Sequence, residues 1–345
     1  MTLTELPANG RFQPSRLRLA RELKRMTQTE LKGQCGISAA SVSQLESGAS
    51  SPSAETISAL SKALETPPEF FFRPVAETHE GFFRSLRRTS VTDRRHARAV
   101  AQIAHDLAAE GSSSVLMDLA LPAIPVESLT DTDTPIAAAK MVRQAWKVSS
   151  GPIANVVELL EEHGIVVLRL SLSTANVDAF SLPFADRPVV VLGSDKNDRA
   201  RSRFDAAHEL GHLVMHGQEI WGTKEVETQA HLFAAEFLMP EAEIRAQLPT
   251  WSDWETLFSL KKTWQVSLAA LLMRAKTLGQ MDGSAYLNSV KAASARGWRR
   301  VEPLPLGAPE EPSRSTSLLR DYFAGDSGDW LPAKWFDLVQ LSEVD

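Results

Sequence analysis

The sequence has few of the features that mark secreted, membrane-bound or disulfide-rich proteins. Its 345 residues include one cysteine, Cys35, so no disulfide can form within the chain, and a small apolar role is the default for that residue. No apolar run approaches the roughly 20 residues that span a bilayer, and no basic segment followed by an apolar one opens the chain. We therefore expect a cytoplasmic protein that makes no membrane contact.

Several signatures of small-molecule chemistry are also missing. The chain has no internal repeat, no glycine-rich phosphate loop and no serine, histidine and aspartate arrangement, so no nucleotide cofactor is expected. What the chain does have is 43% hydrophobic and 23% charged residues, which suits two or three folded domains. A formal charge of -6 argues against a chain that is basic throughout, although six arginines and one acid lie between residues 84 and 98. For this basic segment we prefer a solvated face or a dimer contact to a contact with DNA flanks.

The most informative stretch is residues 203–216. His208 and His212 are four residues apart, so on a helix they share one face, where two imidazoles can reach a single tetrahedral metal ion. Glu209 follows the first histidine and would project beside the open position of the metal, where a carboxylate can accept a proton from an activated water. A strand-like run at residues 188–192 precedes the helix, as the edge of an active-site cleft requires. The stretch therefore predicts a helix that carries a zinc site.

A third ligand is predicted in the next amphipathic helix. Glu227 lies 15 residues beyond His212 and one turn before Ala230, on a helix that Pro240 ends or kinks. A carboxylate close to an apolar face needs a charged partner, and a metal ion supplies one. We prefer Glu227 to Glu225, and assign Glu225 and Glu236 to the solvated surface.

These residues together resemble the ImmA/IrrE family of zinc metallopeptidases, in which a His-Glu-x-x-His helix is followed by Glu-x-x-Ala-x-x-Phe-Ala and a Leu-Met-Pro ending. Both halves of the pattern are present. The resemblance implies that His208, His212 and Glu227 bind Zn2+ and that Glu209 is the general base. Residues 178–181, Asp-Ala-Phe-Ser, also match the family and would lie near the cleft, where an extended substrate could pair with the sheet edge.

A peptidase of this kind needs a hydrogen-bond donor for the oxyanion of the tetrahedral intermediate. The polar residues that we nominate for this role, or for substrate contact, are Tyr286, Arg274, His216 and His231. A structural role is the alternative for each of them.

The N-terminal part of the sequence predicts five short helices. They cover about residues 15–25, 27–34, 39–47, 53–64 and 67–72. Thr27 and Glu30 can form a capping box, and Ser38 can cap the third helix, which Gly48 ends. A tight turn between the second and third helices describes a helix-turn-helix domain.

The details resemble the lambda-repressor-like, XRE-type DNA-binding family over about residues 14–72. The matching segments are Thr27-Gln28-x-Glu30-Leu31, Gly36-Ile37-Ser38 and Val42-Ser43-Gln44-Leu45-Glu46-x-Gly48. In that geometry the third helix lies in the major groove, and the expected readers of base edges are Ser38, Ala39, Ala40, Ser43 and Gln44. Gln28 is expected to hold a phosphate, and the resemblance implies a structural ion pair between Arg21 and Glu46. Gly33 departs from the family pattern and weakens its helix by up to about 1 kcal/mol.

These patterns predict a multidomain chain. The expected parts are a leader at 1–13, an all-α helix-turn-helix domain at 14–74, a helical linker region at 75–130, an α+β zincin-like metallopeptidase domain at 131–303 with a small sheet and the His-Glu-x-x-His helix, and an extension at 304–345. The extension is rich in large aromatic residues, so we expect it to fold back on the body or to bind a partner.

The favoured hypothesis is a transcription regulator that binds a double-stranded DNA operator as a homodimer and cleaves a protein substrate with zinc. The resemblance to the peptidase family implies that this chain cuts a repressor or itself in a stress, prophage or toxin–antitoxin type response. The alternative is a non-proteolytic transcription factor whose zinc pocket senses a small molecule or a peptide. A purely structural zinc is less favoured, because such sites usually have four protein ligands.

Overall fold

The computed structural model describes residues 10–76, 78, 82, 83, 90–110, 117–170, 178–194, 197–216, 223–324, 330–332 and 335. Three arginines of the basic segment, Arg84, Arg87 and Arg88, lie outside these residues. Within the described part of the chain, every helix is too short or too polar to cross a membrane.

The N-terminal part folds as a bundle of short helices. They are α1 (Pro14–Leu23), α2 (Gln28–Cys35), α3 (Ala39–Ser47) and α4 (Ala54–Leu64), followed by a 3-10 helix at Pro68–Phe72. The capping box at the start of α2 is present, because Thr27 Oγ1 accepts from Glu30 N at 3.2 Å and Glu30 Oε2 accepts from Thr27 N at 2.7 Å. The fifth element is a 3-10 helix because its 5 residues, which begin with a proline, leave room for little more than one turn.

Two glycines allow the sharp turns of this bundle. Gly36 ends α2 with φ of 69° and Gly48 ends α3 with φ of 74°, a left-handed conformation that glycine adopts without steric cost. Ser38 then starts α3, since its Oγ accepts from Ser41 N at 3.0 Å. The turn between α2 and α3 is therefore as short as the sequence predicts.

A small mixed sheet forms the centre of the second part. Its strands are β1 (Phe82–Phe83), β2 (Val166–Leu170), β3 (Ala179–Leu182) and β4 (Val189–Gly193), in the order β1-β3-β4-β2. Strands β2 and β4 are parallel, and β3 is antiparallel to both β4 and β1. Neighbouring residues of β2 and β4 face opposite sides of the sheet, and both sides are buried: Val167 and Val190 join one hydrophobic cluster, and Val166 and Val189 join the other.

Helices cover both faces of this sheet. The helices of this second part of the chain are α5 (Val91–Glu110), α6 (Asp133–Ala145), α7 (Val156–Glu162), α8 (Arg199–Met215), α9 (Lys224–Leu238), α10 (Glu241–Ile244), α11 (Trp254–Trp264), α12 (Leu268–Thr277), α13 (Gly283–Ala295) and α14 (Arg314–Ala324), with a 3-10 helix at Arg245–Gln247. Helix α8 packs on β3 and β4 and is backed by α9, whereas α5 and α14 contact the sheet from the first cluster. The result is the expected α+β arrangement beside an all-α bundle.

The helical bundle and the sheet share one hydrophobic core. Leu17 and Phe70 of the bundle, Val100 of α5 and Val191 of β4 belong to the same buried cluster. The C-terminal extension enters this cluster as well, through the buried side chains of Leu318, Leu319, Trp330, Leu331 and Trp335. The described part of the extension therefore folds back on the body, which is one of its two expected behaviours.

Candidate metal centre

Two buried histidines lie one turn apart on α8. The helix begins at Arg199 because the Asp198 carboxylate accepts from Arg201 N at 3.1 Å, which satisfies one of the N–H groups at its first turn. Its apolar face packs on the sheet and so points the opposite histidines toward α9. His208 is 0% exposed and His212 is 1% exposed, so both rings are buried.

Helix α9 brings the third candidate ligand to these histidines. Thr223 Oγ1 accepts from Val226 N at 3.3 Å, so α9 begins at Lys224 and Glu227 falls in its first turn, where the helix dipole favours a carboxylate. The two helices approach closely at Gly211, because a Cβ added there would lie only 2.9 Å from Cδ1 of Phe233. The glycine between the two histidines therefore sets the distance between α8 and α9.

The three candidate ligands converge on one point. The Nε2 atoms of His208 and His212 are 3.1 Å apart, and oxygens of Glu227 lie 3.4 Å from the first and 3.6 Å from the second. Ligands bound to a tetrahedral zinc ion at about 2.1 Å lie about 3.4 Å from one another, so these separations fit such a site. Within the described residues this is the one group of three or more histidines, cysteines and acids that could hold a metal ion.

The protonation states of these residues suit a metal. Burial holds the pKa of His208 well below 6.5, so its imidazole is neutral at pH 7. Burial alone would raise the pKa of Glu227, but hydrogen bonds and charges from His208 and His212 outweigh it and lower the pKa, so the carboxylate is ionised. Metal ions bind neutral imidazoles and ionised carboxylates, so both residues are held in their binding forms.

Glu209 lies beside the ligands and is fully buried. The hydroxyl of Ser181 donates to Glu209 Oε2 at 2.7 Å. Ser181 pairs with Val190 in the ladder between β3 and β4, so the sheet fixes the position of this hydroxyl. The sequence pattern places Ser181 near the cleft but assigns it no role, because contacts between a strand and a later helix depend on the tertiary fold.

Two of the four nominated residues, His216 and His231, are histidines that contact the candidate ligands. His216 Nδ1 lies 3.0 Å from His212 Nδ1, on the side of that ring away from Glu227, and burial lowers the pKa of His216 to about 4. His231 Nδ1 donates to the backbone oxygen of Glu227 at 2.6 Å, and its ring meets the ring of His208 edge-on at 4.6 Å. His231 is thus a neighbour of the ligand cluster, and His216 lies behind it.

The other two nominated residues make contacts away from the ligands. Arg274 donates from Nε to the backbone oxygen of Met239 at 3.1 Å and pairs with Glu236. The expectation that Glu236 is solvated is therefore wrong: its side chain is 1% exposed, and Arg274 compensates its charge. Tyr286, on α13, lies under the ammonium group of Lys276, whose Nζ is 4.7 Å from the ring centre. Oxyanion roles for Arg274 and Tyr286 stay predictions.

The expected DNA readers form one surface of the bundle. On α3 and at its cap, the residues that face outward are Ser38, Ala40, Ser43 and Gln44, with Ala39 half-buried. Arg21 donates to Glu46 from Nε at 2.5 Å and from Nη2 at 2.9 Å, which confirms the expected ion pair between α1 and α3. Gln28 also donates to Glu46, from Nε2 at 2.9 Å, so its amide ties α2 to α3, and its phosphate contact stays a prediction.

Comparison with known families matches two separate parts of the chain. Residues 17–71 match the helix-turn-helix family, and residues 160–276 match the M78 peptidase family, described as an IrrE N-terminal-like domain. The chain is a fusion of an XRE-type helix-turn-helix domain and an IrrE-like domain. The IrrE-like match spans β2, β3, β4, α8 and α9, and so includes all three candidate ligands and Glu209. No curated protein matches the chain.

Proposed function

We propose that the protein is a DNA-binding transcription regulator whose IrrE-like domain is a zinc-dependent endopeptidase. The observation that carries this proposal is the convergence of His208, His212 and Glu227 within 4.8 Å of one another, beside the buried Glu209. Three protein ligands leave a zinc ion one open position, which is the arrangement of catalytic sites. A structural zinc would be expected to have a fourth protein ligand.

In the proposed peptide hydrolysis each of these residues has a separate role. His208, His212 and Glu227 would hold the ion, which supplies Lewis acidity that polarises the scissile carbonyl and acidifies water. Glu209 accepts a proton from the attacking water at its carboxylate and delivers it to the leaving nitrogen. Ser181 holds Oε2 of Glu209 in place during both transfers, and the buried position of Glu209 keeps bulk water away from the carboxylate.

The substrate that we propose is a repressor protein or a copy of this chain. The possibility that a copy of this chain is the substrate is supported by β1, because Phe82 and Phe83 pair antiparallel with Ser181 and Phe180 of β3. The edge of β3 beside the candidate site thus accepts an extended segment, as an extended substrate requires. The setting that we propose is a stress, prophage or toxin–antitoxin type response.

The partner of the helix-turn-helix domain is a double-stranded DNA operator, which we propose is bound by a homodimer. Gln44 is the exposed α3 residue that can bond adenine through two hydrogen bonds. We expect Gln44→Ala to weaken operator binding by about 1–3 kcal/mol and to relax the preference at one base pair. Fluorescence anisotropy with operators that differ at single positions measures both effects. Equal losses on every sequence would contradict a reading role for Gln44.

Cleavage is tested with zinc-loaded wild-type protein and the Glu209→Gln variant. Each is incubated with itself and with any repressor encoded beside its gene, and the products are identified by mass spectrometry. We expect a defined cut with the wild type and at least a hundredfold slower cutting with Glu209→Gln, since general-base catalysis contributes about 10²–10⁴-fold. If neither protein cuts while both bind zinc and an operator, the result favours the second candidate function, a site that senses a small molecule or peptide.

A further inference from the structure

A chain of hydrogen bonds leads away from the candidate metal site behind His212. Gln229, on α9, has its amide nitrogen Nε2 within hydrogen-bond distance of three backbone oxygens: Ser128 at 2.9 Å, Asp131 at 3.1 Å and Leu129 at 3.2 Å. Three acceptors around one end of an amide fix which end is the nitrogen, because the opposite orientation would place oxygen against oxygen. Oε1 of Gln229 must therefore face the other way, where His216 Nε2 lies 3.1 Å away.

This orientation determines where the protons lie on both histidines. Because Oε1 of Gln229 can only accept, His216 donates to it from Nε2, and a neutral imidazole with its proton on Nε2 presents a lone pair on Nδ1. That lone pair faces His212 Nδ1 at 3.0 Å, so His212 must carry its proton on Nδ1. The remaining nitrogen of His212, Nε2, is then the one with a lone pair, and it is the atom that faces His208 and Glu227.

Further hydrogen bonds hold the segment that binds Gln229, at the end of the hydrogen-bond chain farthest from the metal site. The oxygens that fix Gln229 belong to residues 128–131, just before α6. Asp131 lies two residues before the start of that helix, and its Oδ1 accepts from Asp133 N at 2.8 Å and from Thr134 N at 3.0 Å in the first turn. Gln229 is 2% exposed and His216 is 4% exposed, so water does not compete for these bonds.

We propose that Gln229 and His216 are positioning residues that hold His212 in the tautomer and ring orientation required of a zinc ligand. The inference rests on the metal site proposed above and extends it by two layers of hydrogen bonding. Partners of this kind raise metal affinity because the ligand does not have to reorder when the ion binds. Neither residue touches the metal position, so both act through His212.

The test compares two substitutions of His216 in the full-length protein. His216→Leu removes the acceptor that faces His212, whereas His216→Asn retains an oxygen close to the former Nδ1 position. A matched control is His96→Leu, which removes another buried histidine, one that bonds the backbone oxygen of Leu23 in the helix-turn-helix domain at 2.7 Å. Zinc affinity is measured by competition with a chromophoric chelator, and thermal unfolding is followed for each variant.

We expect His216→Leu to weaken zinc binding by about 10–100-fold and His216→Asn by only a few fold, with His96→Leu unchanged. Gln229→Glu should resemble His216→Leu, because a carboxylate cannot donate to the three backbone oxygens. Equal affinities in His216→Leu and wild type would overturn the inference. Equal losses in the Leu and Asn variants would overturn it too, because the acceptor would then be irrelevant.

A second readout does not depend on zinc. In the zinc-free wild-type protein, ¹⁵N chemical shifts of the imidazoles should show His212 with its proton on Nδ1, and His216→Leu should give a mixture of tautomers. If the wild type fails to bind zinc but shows the single tautomer, the peptidase proposal fails while the hydrogen-bond chain stands. A mixture of His212 tautomers in the wild type would refute the proposed series of hydrogen bonds from Gln229 to His212.

Discussion

At the scale of single residues, the candidate ligands were the most predictable part of the protein. Two histidines four apart on a helix share a face whatever the rest of the fold does, so His208 and His212 follow from the sequence alone. Glu227 follows less directly, since its position depends on how α9 packs on α8. Ser181 and Gln229 could not be assigned, because their contacts with Glu209 and His216 join distant elements.

Ser181→Ala tests the residue that holds the proposed general base. The substitution removes the hydrogen bond to Glu209 Oε2. A hydrogen bond to a carboxylate, the form that a general base requires, is worth about 1.5–3 kcal/mol. We expect kcat/KM for the cleavage reaction to fall at least tenfold while zinc affinity stays the same.

A control for this substitution is Ser289→Ala. Ser289 is equally buried, but its Oγ donates at 2.8 Å to the backbone oxygen of Ala285 on the same helix, α13. That variant should keep wild-type activity. An active Ser181→Ala protein would mean that Glu209 keeps its position without the hydroxyl.

At the scale of helices, a glycine can weaken its own helix or allow two helices to pack closely. Gly33 is an example of the first effect and Gly211 of the second. In an exposed helix, glycine to alanine stabilises by up to about 1 kcal/mol, and Gly33 on α2 has open space around a Cβ. At Gly211 the new methyl group would meet Phe233, so α8 and α9 must move apart.

We therefore expect Gly33→Ala to raise the free energy of unfolding by up to about 1 kcal/mol. Gly211→Ala should lower it by about 1–3 kcal/mol, as overpacked cores do, and should also weaken zinc binding because Glu227 moves with α9. Urea denaturation and chelator competition give the two measurements. A Gly211→Ala variant with unchanged zinc affinity would contradict this role of the helix spacing.

Helix boundaries in the bundle were predictable because their caps are local. Thr27, Ser38 and Gly48 each act within four residues of the boundary that they set. Strand β1 and helix α14 were not foreseen, since neither has a strong pattern of its own and both are stabilised by packing on the sheet. The predicted start of α8, at residue 203, is four residues later than the observed start at Arg199. The cap, Asp198, lies before the recognisable motif.

A pH-dependent contact joins α5 to the sheet. His105 Nε2 lies 2.9 Å from Asp186 Oδ1, between β3 and β4, and the ring of His105 stacks on Phe184 with centres 3.8 Å apart. Burial alone would lower the pKa of His105, but Asp106 and Asp186 outweigh it and raise the pKa. Burial would raise the pKa of Asp186, and its hydrogen bond and charge pairing with His105 lower it instead.

The sign of the effect on stability follows from these directions. The contribution of His105 is complete below its unfolded pKa of about 6.5 and is lost as the pH rises through its higher folded pKa. The contribution of Asp186 is complete above about pH 4 and is lost as the pH falls further. Asp186→Asn should therefore reduce the free energy of unfolding most near pH 5.5, by up to about 1 kcal/mol because Asp186 is largely exposed, and little at pH 8.5. A pH-independent difference would exclude the ion pair.

At the scale of the whole molecule, the C-terminal extension packs against both α5 and the helix-turn-helix domain. Trp335 is fully buried and donates from Nε1 to the backbone oxygen of Val100 at 3.2 Å, and Trp330 stacks on Phe70 with ring centres 6.0 Å apart. We expect Trp335→Ala to cost about 3–5 kcal/mol of unfolding free energy, as truncation of a buried aromatic does. Trp251→Ala is the control: Trp251 is 62% exposed, and its loss should cost less than about 0.5 kcal/mol. Equal urea midpoints for the two variants would show that the extension adds no stability.

The shared core has a consequence for what proteolysis can achieve. If the protein cut itself once between the bundle and the sheet, the two fragments would stay attached through α5 and the tryptophans of the far end of the chain. The cleaved protein would then stay bound to its operator until the two fragments dissociated. Native gels would then report an intact particle, and only denaturing conditions would reveal the cut.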